Sequence, residues 1–188
     1  MKDNKHNQEN SFFRDILWNV INRFDILIEA TNSKAALTIA FNTFIVSGII
    51  LKWKEILPSY NEYQSLVIIG GIFLTIASVA SVLSLCFTFL AVKPFLKSHK
   101  DTDEYHSNIF FKDIAKYEKP GAYHEKVKTV SADSLEKDLA FQIHILSKGI
   151  SRKFNLLRTA TNTIFYFQLP AIAIFVIIKL IASISGSG

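Results

Sequence analysis

The stretch SLVIIGGIFLTIASVASVLSLCFTFLAV, Ser65 to Val92, runs for 28 residues without one Asp, Glu, Lys or Arg. A helix on the side of a soluble core meets water along one face and carries charge there. This stretch has no such face. It also exceeds the roughly 17 to 25 residues that cross a bilayer core. Two further uncharged runs flank it, 17 residues from Ala35 to Leu51 and 20 from Thr159 to Ile178. A chain of 188 residues has too little polar shell to bury three such runs as a soluble bundle. Hydropathy therefore reads all three as transmembrane. Mean hydropathy over the whole chain is +0.25, and the excess sits in these runs.

Charge sets the expected orientation. Of the 21 Lys and Arg residues, 5 lie in residues 1–34, 2 in 52–64, 13 in 93–158 and 1 at Lys179. The cytoplasmic side keeps such an excess. The N-terminus and the 66-residue segment 93–158 are thus expected inside, and the loop after the first span outside, with Trp53, Tyr60 and Tyr63 as an interfacial belt. The net charge of +5 does not read as a nucleic-acid footprint, because 9 acidic residues interleave with the 13 basic ones of that segment. Topology and anionic lipid headgroups account for it more simply. No secretory signal precedes the first span, since MKDNKHNQEN is polar, so the span is expected to act as its own insertion signal.

The fold expected is an all-α membrane protein: three transmembrane helices, an N-terminal amphipathic helix, and a helical cytoplasmic segment between the second and third spans. By residue, 1–33 form the cytoplasmic amphipathic helix, 34–92 a transmembrane hairpin with spans about 35–52 and 65–92, 93–158 the helical cytoplasmic segment, and 159–184 the third span. Residues 185–188 read as a linker or tag remnant. Phe13, Leu17, Val20, Ile21, Phe24 and Ile28 share one helical face, which suits packing on the cytoplasmic helices or lying on the membrane surface. In the segment 93–158, Asn108 is expected to cap a short helix that Pro120 and Gly121 end. Asp133 with Glu136 has capping-box spacing, opening a long helix with the stripe Leu135, Leu139, Ile143, Leu146, Ile150, Phe154 and Leu157. No breaker separates that helix from the third span until Pro170, where a kink is expected.

Inside the second run, Gly70, Ala77, Ser84 and Ala91 recur every seven residues, and Leu74, Ser81 and Thr88 fill the intervening positions. Small and hydroxylated residues let helices approach and bond in lipid, so this face is expected to meet another helix, in the protomer or across subunits, or to line a pore. Asn42 within the first run marks a second interior face, because an amide in a span is costly unless it faces protein or a polar cavity. Asn42, Ser81, Ser84 and Thr88 are the helix-packing or pore candidates. Lys34, at the edge of that run, is either a snorkelling anchor or a cation that pairs with Glu29, Asp138 or a bound phosphate.

Catalytic chemistry is not expected. No GxSxG, HExxH, Gly-rich phosphate loop or paired-cysteine site occurs, and the one cysteine, Cys86, lies in the second run, which excludes an intramolecular disulfide. His99, Asp101, Asp103 and His106 are metal-ligand types in no established ligand frame, so they read as a solvated loop and no metal is expected. His144 reads as a hydrogen-bonded histidine at a helix interface.

The order of four motifs resembles the Pycsar effector family: TNSKAALTIAFNTFIVS opening the first span, AVKP closing the second, NIFFKDIA in the segment between, and FQIHILSKGISRKFNLLRTA before the third. The resemblance covers roughly residues 25–160, and its specificity lies in the sequential set. Where the family pattern leads one to expect an aspartate two residues before the lysine, this chain has Asn32. The resemblance implies a bacterial inner-membrane effector of antiphage signalling. It would bind a cyclic nucleotide made by a separate cyclase, impair membrane integrity and cause abortive infection, with no cofactor beyond that ligand. Membrane lipid and further copies of the chain are the other expected partners, and nucleic acid is not.

A cyclic nucleotide needs a cation or backbone donors for phosphate and an aromatic face for the base. Lys34, Arg152 and Lys153 supply candidate cations, and Phe110, Phe111 and Tyr117 candidate rings; headgroup contact and core packing are the plainer roles for Lys153 and Phe110. The competing reading is a constitutive membrane scaffold or adaptor that docks a cytoplasmic partner without ligand gating. A small transporter is disfavoured, since no span carries a buried acid and no repeat symmetry is visible.

Overall fold

A computed structural model describes residues 2–52, 64–94 and 107–185, with side chains from Ser11 onward except Gln64 and Ser185. The expected all-α membrane fold is what it shows. The helices are α1 (Lys2–Leu51), α2 (Gln64–Val92), α3 (Phe111–Ile114), α4 (Pro120–Lys128), α5 (Ala132–Thr163) and α6 (Leu169–Ser185), with a π-helical segment, Ile164–Gln168, joining the last two. Three stretches are long and apolar enough to cross a membrane: Ser11–Leu51, Ser65–Val92 and Ala132–Ile184. The described residues contain no strand. Trp53, Tyr60, Tyr63, His99, Asp101, Asp103, His106 and residues 186–188 lie outside the described residues.

The chain divides into two compact units, one of residues 1–29 with 94–151 and one of residues 30–93 with 152–188. The second, membrane unit is built on small side chains. Ala35, Ala91 and Leu157, from three helices, form one buried cluster, with Leu156 packed against it. Gly70 brings α2 close to α6: a Cβ there would lie 3.6 Å from Phe175 and Ile178. All seven positions of the heptad seam, Gly70, Leu74, Ala77, Ser81, Ser84, Thr88 and Ala91, are buried. The opposite faces display Leu37, Phe44, Ile50, Ile72, Val82, Phe89 and Ile177 to the outside. In water such a surface would aggregate; in lipid it is the solvated side.

In the first, polar unit several local expectations are corrected. Asn108 does not cap α3; the helix starts after Phe110, and its N-cap position has no side-chain bond. Pro120 does not end a helix but begins one, at the first position of α4, where a proline loses no hydrogen bond and its fixed φ suits the turn. The long helix opens on Ser131, whose Oγ accepts from the Ser134 N–H at 3.2 Å. Asp133 instead binds Lys137 at 2.7 Å on the surface, so the capping box does not form. His144 is exposed rather than set in an interface. Near Pro170 the chain adopts the π segment, which ends two residues earlier. A residue that cannot donate removes one rung of the helical ladder, and a wider turn is one way to absorb the loss.

Candidate functional site

Two constellations carry polar chemistry, one in each unit. In the polar unit the loop Ser107–Phe110 is tied down by two buried carboxylates. Ser107 Oγ donates to Asp138 Oδ1 at 2.7 Å, and Asn108 N–H to Asp138 Oδ2 at 2.7 Å. The same hydroxyl accepts from the backbone N–H groups of Ile109 (3.2 Å) and Phe110 (3.0 Å), which turns the chain into α3. Asp113 Oδ2 accepts from Ser107 N–H at 3.1 Å, and its Oδ1 receives Lys116 Nζ at 2.6 Å. Tyr123 Oη closes the loop by donating to Asn108 O at 2.9 Å. The carboxylates thus replace the water that these backbone donors would otherwise need.

Beside this loop lies a cavity of about 270 Å³ lined by Ser107, Asp113, Lys116 and Tyr117. It joins a ring face, an ammonium, a hydroxyl and a carboxylate, the groups that read a nucleotide's base, phosphate and sugar hydroxyls. Tyr117 packs in a tilted pair with Tyr123, centroids 5.6 Å apart. Phe110 and Phe111 form a second tilted pair at 4.9 Å, with Phe111 largely exposed. Of the three ring candidates, Tyr117 is the one that lines the cavity. Ser107, Asp113 and Lys116 escaped the sequence reading, although NIFFKDIA contains Asp113 and adjoins the other two.

The three cation candidates, Lys34, Arg152 and Lys153, belong to the membrane unit. Lys34 and Arg152 are exposed, and Lys34 makes no ion pair among the described residues. Lys153 is buried, and its Nζ reaches Asn32 Oδ1 at 3.4 Å, a long bond to a neutral acceptor.

The second constellation is the buried amide of Asn42. Its Nδ2 donates to Thr38 O at 2.9 Å and to Ser84 Oγ at 3.2 Å, while Oδ1 accepts from Ser81 Oγ at 2.8 Å. Ser84 Oγ donates in turn to Ala160 O at 3.1 Å, and Thr88 Oγ1 donates to Ser84 O at 2.7 Å. Asn42, Ser81, Ser84 and Thr88 have no exposed surface. The chain of bonds joins α1, α2 and α5. Each interhelical bond in a membrane contributes on average about 0.6 kcal/mol, so the network fixes register more than it adds stability.

A larger groove of about 450 Å³ runs between α2 and α6, lined by Leu66, Val67, Gly70, Gly71, Phe175 and others, with Lys179 its one basic side chain. Its walls suit hydrocarbon rather than a phosphate. Among the described residues no cluster of His, Cys, Asp or Glu could hold a metal ion.

A family model, the Pycsar effector protein domain, matches residues 16–181. No curated protein and no solved structure matches the chain.

Proposed function

The chain belongs to the Pycsar effector family, as a transmembrane effector in antiphage defence and not of a known enzyme family, and on that premise we propose how it senses and acts. The polar unit lies in the cytoplasm and binds a cyclic nucleotide in the cavity beside Ser107. Tyr117 stacks on the base, and Lys116 exchanges its partner Asp113 for the ligand phosphate. Asp113 keeps its bond from the Ser107 N–H and so holds the loop in place beside the ligand. Binding is translated along α5, which contributes residues to both units without a break, into a repacking of the seam in the membrane unit. The inner membrane loses integrity, and the infected cell stops growing. A ligand achieves this only by binding one of two states better, so the state with repacked helices is the one that holds the nucleotide more tightly.

The observation that carries this reading is the cavity itself, in which ring, ammonium, hydroxyl and carboxylate converge outside the membrane unit. Calorimetry on the detergent-solubilised full chain with cyclic AMP, GMP, CMP and UMP tests it. One of them is expected to bind, with Tyr117→Ala and Lys116→Glu each weakening it about tenfold or more. Failure of every cyclic mono- and dinucleotide to bind refutes it. Phe12, Ile16 and Ile26, exposed on one face of α1, favour a second reading, a scaffold that docks a partner through this face. That reading expects the same behaviour with and without an active cyclase.

A further inference from the structure

Gln168 has no exposed surface, and among the described residues neither its Oε1 nor its Nε2 has a hydrogen-bond partner. Asn42 carries the same amide chemistry in the same membrane unit, equally buried, with donor and acceptor both engaged. The bundle can therefore pair an interior amide, and at Gln168 it does not. A buried carboxamide that no protein group pairs costs the desolvation of both its ends, and leucine in its place would not.

Gln168 is also the last residue of the π segment, where the Leu169 N–H donates to Ile164 O across five residues instead of four. Two positions on, Pro170 has no N–H to offer. A π turn holds one residue more than an α turn. Relaxing it to α register turns the residues on one side by about 100° about the helix axis. Packing gives the level of this turn. Ser84 binds Ala160 O below it, and Gly70 faces Phe175 and Ile178 above it. Midway between them on α2 stand Ala77, Ala80 and Ser81, small buried residues that sterically permit a neighbour to rotate.

We propose that Gln168 is the gate of a defined, water-filled path through the membrane unit: closed off from solvent and without a protein partner at rest, and hydrated once the π turn relaxes. Its amide then joins the polar file of Ser81, Asn42 and Ser84, and water and small hydrated ions are the ligands. The inference rests on the membrane-impairing reading above and specifies it as conduction along a path rather than general disruption of lipid.

The full chain and Gln168→Leu are compared in phosphatidylethanolamine–phosphatidylglycerol vesicles loaded with potassium, with the four cyclic mononucleotides added outside and inside. The leucine variant, which favours the resting state over the one that holds the ligand, is expected to bind nucleotide more weakly than the parent, to melt at a higher temperature in detergent, and at saturating nucleotide to pass ions about tenfold more slowly or less. A lower melting temperature, or flux equal to the parent's, overturns the proposal. Gln168→Cys in a Cys86→Ser background is treated with a small charged methanethiosulfonate reagent. Faster modification in the presence of a nucleotide supports hydration of this position, and an unchanged rate overturns it. Labelling needs no leak to be read. Vesicles of the parent chain that never leak would therefore refute the membrane-impairing reading, while the labelling rate still decides whether position 168 meets water.

Discussion

At Asn42 the physics is that of one amide with nowhere else to go. Asn42→Ala leaves Ser81 and Ser84 with hydroxyls that have lost a partner, and lipid offers no water in exchange. The variant is expected to lose about 1–2 kcal/mol in reversible unfolding from mixed micelles, more than Ser81→Ala, which removes one bond. Equal losses would mean that the amide is not the hub. Lys153 makes a different case. The acceptor its Nζ reaches, at 3.4 Å, is the neutral Asn32 Oδ1 rather than a carboxylate. These residue-scale facts were unequally legible. Asn42 stands out as a polar letter in an apolar run. Gln168 does too, but an uncharged glutamine barely lowers a hydropathy sum, and the absence of its partner exists only once three helices are placed.

Among the elements, α2 was the plainest in the sequence, because both its length and its seam of small residues depend on local spacing. The stripe of α5 was legible for the same reason, and Leu139, Ile150 and Leu157 on it are buried. What spacing does not encode is which of two competent caps is used, or whether a proline closes one helix or opens the next. Ser131 and Pro120 were settled by the chain around them. The Ser107 loop was hidden for a stronger reason: its anchor, Asp138, lies 31 residues away on α5. Asp138→Ala is expected to leave the Ser107 hydroxyl and the Asn108 N–H without their charged acceptor and to cost about 2–3 kcal/mol. Hydrogen exchange should speed up over residues 107–117 and leave the membrane helices unchanged. Protection that is unaltered at the loop would contradict the anchoring role.

On the scale of the whole molecule, two units with different solvents are written into one chain, and α1 and α5 each contribute to both. Composition told them apart, since charge concentrates in residues 93–158 and is absent from the runs that cross the membrane. The proposed site was less legible, because its residues approach one another only after folding. The most direct test is ion flux from vesicles that hold the full chain, measured as each cyclic mononucleotide is titrated against the polar unit. One nucleotide is expected to raise flux saturably, at a concentration that Tyr117→Ala shifts about tenfold upward. Flux that ignores every nucleotide, or that responds identically in the Tyr117→Ala chain, would contradict a ligand-gated effector.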